Sequence, residues 1–194
     1  MNKILLLGCG ALSSQLLSSL APDLRGKSEL TILDFDIIEE RNLMGTQLFF
    51  PEQKGVKKTE ALQYNIYKLF NRKVEIITEK LSGDNINILK DYDLIIDTFD
   101  NYLSRKLVQN FVVKNKIDCL HCGFSEKLTF EICWAENYNV PSDTISSFDV
   151  CEAEGASSFI KLTSACGANA VLAFINNGEK RNFIGNRFLV KEIL

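Results

Sequence analysis

The chain opens MNKILLLGCGALSSQLLSSLAPD, and one turn in this stretch constrains the fold more than any other feature. A short apolar run, Ile4 to Leu7, breaks into Gly8-Cys9-Gly10-Ala11-Leu12-Ser13. The apolar pattern then resumes at helical spacing through Leu12, Leu16, Leu17 and Leu20. This is a strand that turns on glycine into a helix. In that context Gly8 permits a tight turn, and Gly10 lets the backbone approach a phosphate. The helix N-terminus adds unpaired N–H groups and positive potential. Ser13 stands where the G-x-G-x-x-G pattern has its third glycine, and it is small enough for close helix–strand packing. Asp34 closes the next strand, where an acid bonds a ribose hydroxyl. The same opening also resembles an exported lipoprotein anchored at Cys9. Ile4 to Leu7 is far shorter than the ~7–15 residues of a signal core, however, and the helical period runs on past Cys9.

Beyond this turn, strand and helix patterns alternate. ELTILD (Glu29 to Asp34), KVEIIT (Lys73 to Thr78), DLIID (Asp93 to Asp97), IDCLHC (Ile117 to Cys122) and KLTFEICW (Lys127 to Trp134) read as strands. Gly55 to Phe70 and Asn101 to Val113 carry apolar residues at helical spacing. Glu136 to Ser147 reads as a polar loop. Ser157 to Ile175 is apolar nearly all round, as in a helix buried in a core or a subunit interface. Arg187 to Leu194 suits a terminal strand. The order predicts an α/β, Rossmann-like fold with a mostly parallel sheet, helices on both faces and a short antiparallel C-terminal extension. No linker divides residues 1–194, so one nucleotide-binding domain is expected.

Composition excludes several classes. Of 194 residues, 46% are apolar and 24% charged, with a net charge of −3, so no basic face for nucleic acid is expected. No apolar run reaches the ~18–20 residues of a membrane span, so no membrane association is expected. The six cysteines mostly lie in apolar segments, which fits a reducing cytoplasm better than a disulfide framework. With one histidine, His121, mechanisms built on Ser–His or Cys–His pairs have little material.

LDFDIIEERNLMGTQ, Leu33 to Gln47, resembles the ThiF/MoeB/HesA (ubiquitin-activating-enzyme-like) adenylyltransferase superfamily, whose second strand runs D-x-D-x-V-x-x-x-N-L-x-R-Q. GVKK, with Lys58, and IIDTFDNYLSR, with Asp100, extend the resemblance; FDVCEAEG continues it more weakly. The resemblance implies that ATP and Mg2+ are used to activate the C-terminal carboxylate of a small ubiquitin-like or sulfur-carrier protein ending in Gly-Gly. The product would be an acyl-adenylate, and the assembly a homodimer. Gly8 and Gly10 would lie under the phosphates and Asp34 at the ribose. Asn42 and Gln47 would bond nucleotide oxygens or orient neighbouring groups, and Lys58 would neutralise phosphate charge. Asp100 would hold the metal with Asn101 beside it, and Cys151 would accept the acyl group as a thioester.

The residues also carry plainer readings. Lys58, with Lys57 and Lys54, sits where a cation opposes the helix dipole; this indicates an anionic partner or a solvated basic cluster. Asp100-Asn101 is equally a helix cap. Asp36 is a nucleotide or metal contact, or a loop acid. Arg105 orients Asp100 by an ion pair, or lies on an exposed helix face. Cys151 has Asp149, Glu152 and Glu154 around it, and such acids raise a thiol pKa. Two departures from the family pattern stand out. Gly45-Thr46 replaces the arginine of N-L-x-R-Q with one residue inserted, and no counterpart is expected for the arginine that many relatives carry ahead of the first strand. Of the two C-x-x-C pairs that hold zinc in relatives, there is only Cys119 to Cys122, whose side chains strand alternation sends to opposite faces. A catalytically weak nucleotide-binding scaffold subunit therefore stands as an alternative. So does an NAD-binding oxidoreductase, against which DFD, Asn42, Lys58 and Asp100-Asn101 argue.

Overall fold

The computed structural model describes residues 1–142, 151 and 153–193. Among the described residues eight strands form one sheet, apolar and buried at its centre and exposed at its edges. They are β1 (Asn2–Leu7), β2 (Ser28–Leu33), β3 (Glu75–Ile77), β4 (Leu94–Asp97), β5 (Asp118–Phe124), β6 (Thr129–Trp134), β7 (Asn182–Asn186) and β8 (Val190–Ile193). The helices are α1 (Ala11–Asp23), α2 (Lys58–Phe70), α3 (Tyr102–Asn115) and α4 (Ala156–Asn177). The sheet order is β3-β2-β1-β4-β5-β6-β7-β8. The first five strands are parallel, and β6, β7 and β8 continue antiparallel. Strand order reverses between β1 and β4, where an open α/β sheet leaves a crevice at its C-terminal ends.

Strand alternation divides the core. Ile4, Leu6, Ile32, Ile96, Leu120 and Cys122 face α1, α2 and α4. Leu5, Leu7, Leu33, Ile95 and Cys119 face α3 and the short 3-10 turn Ile86–Asp91. Cys119 and Cys122 thus lie on opposite sides of the sheet, as alternation requires. Helix α1 has no side-chain cap on its N-terminus and contains Pro22 in its last turn. A missing cap costs about 1 kcal/mol. Leu16, Leu17 and Leu20 are all buried, and each contributes roughly 1.5–3 kcal/mol, so burial decides in favour of the helix.

Three expectations change. Helix α2 starts at Lys58 rather than Gly55, because residues 55–57 pair with the segment after β2. Gly55 N donates to Ile38 O at 2.9 Å, Ile38 N donates to Val56 O at 2.9 Å, and Ile37 bridges Lys57. Strand β7, which reads as polar, was not expected; it joins β6 to β8. Helix α4 is long and apolar enough by length and composition to cross a membrane. Here it packs against α1 instead: Ser164 Oγ donates to Leu12 O at 3.3 Å, and Gly167 lies over Leu16 and Cys122. Half of the apolar stretch of α4 is buried within the chain in this way.

A Cβ at Gly167 would stand 3.3 Å from Leu16 Cδ1 and 3.4 Å from Cys122 Sγ. Gly167→Leu is expected to force α4 off α1 and cost ~1–3 kcal/mol despite the better helix propensity. Urea unfolding, read as a lower midpoint at unchanged slope, checks this.

Candidate functional site

The ends of β2, β1 and β4 lie side by side in the sheet, and most of the residues singled out in the sequence follow them directly. Gly8 has φ of +94°, and a Cβ there would meet Thr98 Oγ1 at 3.0 Å. Thr98 comes from the turn after β4, and its Oγ1 donates to Leu7 O at 2.7 Å. Gly8 is thus required by the fold. Gly10, the N-cap of α1, is different. Its φ is −85°, which any residue adopts, and no heavy atom lies within 4 Å of where its Cβ would be. The missing side chain leaves open space in front of a helix N-terminus, where N–H groups favour an anion.

Beside this turn, Asp34 is buried. Its Oδ2 accepts from Cys9 N at 2.6 Å and its Oδ1 from Asp36 N at 2.7 Å. Burial raises the Asp34 pKa, and the two backbone donors and Lys58 oppose that rise. Burial, and then Asp34, push the Cys9 thiol well above its ordinary range, so Cys9 is a packed thiol. Lys58 is only 8% exposed and turns inward. Its Nζ lies 3.0 Å from Asp36 Oδ2, and its N–H donates to Asp36 O at 3.0 Å. Asp36 therefore supplies the counter-charge that a lysine in the first turn of α2 calls for.

Asn42 is buried in the 3-10 turn Glu40–Leu43, where its Oδ1 accepts from Glu39 N at 2.9 Å. Gln47 is half-buried, and its Oε1 has no partner among the described residues. The segment around it crosses α1: Gln15 Nε2 donates to Thr46 O at 3.2 Å and Leu48 N to Ser14 Oγ at 3.4 Å. The Gly45-Thr46 replacement thus lies against the first turns of α1.

On the other flank, Asp100 is exposed after β4, with Asn101 Nδ2 3.4 Å from its Oδ1. Asn101 caps α3, its Oδ1 accepting from Ser104 N at 2.9 Å. Arg105 forms no ion pair with Asp100 among the described residues; its Nε donates to Phe99 O at 2.5 Å. Among the described residues no cluster of three or more His, Cys, Asp or Glu is arranged to hold a metal. Cys151 is half-buried and packs on the core shared by α1 and α4. Asp149 and Glu152 lie outside the described residues. The fold brings a basic residue that no local motif announced to the residues just before α4: Arg187 donates to Glu154 O at 2.8 Å.

One pair was missed in the sequence. His121 Nδ1 and Asp97 Oδ2 are 2.8 Å apart and almost wholly buried. The parallel register sets the last residue of β4 level with His121. That pairing was the available signal, since both strands were legible.

A family model described as ThiF family matches residues 1–177. The adenylyltransferase and sulfurtransferase UBA4 of Debaryomyces hansenii is 34% identical over 115 residues, which is 58% of this chain and 25% of that protein. The probable molybdopterin-synthase adenylyltransferase of Porphyra purpurea is 34% identical over 119 residues, 60% of this chain and 31% of that protein. The matches thus span less than a third of those relatives. E. coli MccB with AMPCPP and MccA superposes at a TM-score of 0.76 and 19% identity, over 99% of this chain and 62% of that one. PaaA superposes at 0.72 and 16% identity, over 100% of this chain and 64% of that one. At such identities the likeness is one of fold.

The two glycines are expected to respond differently. Gly8→Ala should lose ~1–3 kcal/mol of stability, because it needs a positive φ and space that Thr98 fills. Gly10→Ala should stay within about 0.5 kcal/mol of the parent. Thermal and urea unfolding of the two variants check both outcomes.

Proposed function

Because the chain belongs to the ThiF family, we propose that it is an ATP-dependent adenylyltransferase that activates the terminal carboxylate of a small ubiquitin-like or sulfur-carrier protein. The observation that carries this reading is the open space before Gly10 at the strand-order reversal, between the Asp36–Lys58 pair on one flank and Asp100 on the other.

In the proposed reaction a carboxylate oxygen of the carrier attacks the α-phosphorus of ATP. The new P–O bond forms as the bond to the bridging oxygen breaks and pyrophosphate departs. Such a transfer needs positioning and charge neutralisation more than covalent help. The glycine turn and the N-terminus of α1 receive phosphate oxygens. Asp34, with both carboxylate oxygens fixed by backbone donors, accepts a ribose hydroxyl through a remaining lone pair. Lys58 exchanges Asp36 for a phosphate oxygen. The unpartnered Gln47 Oε1 accepts a donor from the substrate side, and Asn42 holds the turn that presents it. Asp100 carries an oxygen ligand with no cationic partner among the described residues, which suits Mg2+. Asp100, with Asn101 beside it, would hold that ion, which when bound neutralises polyphosphate charge.

Cys151 is proposed as acyl acceptor, deprotonated before it attacks the acyl carbon and expels AMP. Arg187 and the N-terminus of α4 supply the positive potential that its acidic neighbours withhold. A homodimer in a reducing cytoplasm completes the proposal. The buried thiols of Cys9, Cys119, Cys122, Cys133 and Cys166 support that compartment. A second reading, a nucleotide-binding scaffold with weak activity, is favoured by Gly45-Thr46 at the arginine position and by the neutralisation of Lys58 by Asp36.

Carrier-dependent exchange of labelled pyrophosphate into ATP tests the enzyme; ATP binding without exchange supports the scaffold. Lys58→Ala and Asp100→Ala are each expected to lower exchange at least ~100-fold with the fold intact. Wild-type exchange in both would refute the site. Gly10→Ala is expected to weaken ATP binding by about tenfold or more in calorimetry, as bulk enters the phosphate space.

A further inference from the structure

We infer that His121 is a positioning residue: through Asp97 it fixes the turn that carries Asp100, and through Tyr138 it ties that turn to the start of the β6–α4 connection.

The contacts form an unbroken chain. Asp97 and His121 are 1% and 2% exposed. Asp97 Oδ2 lies 2.8 Å from His121 Nδ1, and Asp97 Oδ1 accepts from Phe99 N at 3.0 Å. A carboxylate oxygen can only accept, so the proton between the pair sits on Nδ1. On the other side of the ring, His121 Nε2 lies 3.7 Å from Cys119 Sγ. Burial, and then Asp97, push the Cys119 thiol well above its ordinary range, so it is a packed thiol and not a nucleophile. Both Asp97 oxygens and both ring nitrogens thus have a polar neighbour, which fixes the ring's orientation.

The ring has a second partner. His121 stacks on Tyr138 with centroids 3.9 Å apart and planes 17° apart. Tyr138 follows β6 and opens the connection that leads to Cys151 and α4. Gln109 Nε2, from α3, donates to the Tyr138 carbonyl. The same imidazole thus braces two segments. One is the Thr98–Asp100 turn, whose Phe99 is held at N–H by Asp97 and at C=O by Arg105. The other is the beginning of the long connection. Asp100 itself is exposed, so its placement depends on the backbone beneath it.

Two substitutions separate the contacts. His121→Asn keeps a donor near the place of Nδ1 and drops the ring. His121→Phe keeps the ring and drops the donor. Because the latter strands a buried carboxylate, Asp97→Asn combined with His121→Phe serves as the folding control; its side-chain oxygen can still accept from Phe99. Amide hydrogen exchange at Phe99 and Asp100, read by NMR on the full chain, reports the turn without any turnover. Carrier-dependent pyrophosphate exchange reports its consequence, and this half rests on the adenylation reading. In His121→Phe and the double variant, we expect Phe99 amide exchange to accelerate at least ~10-fold. We also expect kcat to fall on the order of 10- to 100-fold with KM for ATP within about 3-fold, as for a misplaced reacting group. His121→Asn should restore Phe99 protection and most of kcat. Wild-type Phe99 protection in the folded Phe variants would overturn the inference. So would a loss in His121→Asn equal to that in His121→Phe, since packing alone would then explain both. If the parent protein shows no exchange with any carrier, the adenylation reading fails, while the amide data still decide the role of His121.

Discussion

The structure depends on one contact between its two halves. Thr98, just past β4, fills the volume a side chain at Gly8 would need, and its hydroxyl bonds the last carbonyl of β1. Residues 91 positions apart are thereby held in register at the point where strand order reverses. Everything proposed for the site follows from that junction. It sets the opening direction of α1 and so the space before Gly10. It also brings the turn after β4 beside the glycine turn.

Electrostatics at the junction are locally balanced, which bears on how a polyanion would enter. Lys58 is buried and paired with Asp36, and Asp34 is held by two backbone donors. A phosphate must therefore compete with a carboxylate for the ammonium. An ion pair of this kind contributes little net stability once desolvation is counted. Its constituents are consequently available for exchange at modest cost.

The parallel half of the fold was legible because its signals are physical and local. Buried strands such as Ile4 to Leu7 read as apolar runs, and α1 and α3 showed helical spacing. The glycine turn, Asp34, Lys58 and Asp100 were visible as motif positions in order. What could not be read were relations made by the third dimension. Nothing in NFIGN marks a strand, because β7 owes its state to pairing with β6 and β8. The partner of Lys58, the union of His121 with Asp97 and the arrival of Arg187 at Glu154 join residues 22, 24 and 33 positions apart. Arg105 illustrates the converse: its sequence neighbour Asp100 was the natural partner, yet geometry delivered the Phe99 carbonyl.

The seating of α4 on α1 has a consequence for biosynthesis. Ser164 and Leu12 meet across 152 positions, so the part of α1 that packs on α4 stays bare until residue 164 has left the ribosome. At ordinary translation speed that interval is roughly 8–30 s, far longer than hydrophobic collapse takes. Through that interval the α4-facing side of α1 is exposed apolar surface, which is the kind of surface that drives aggregation of incomplete folds.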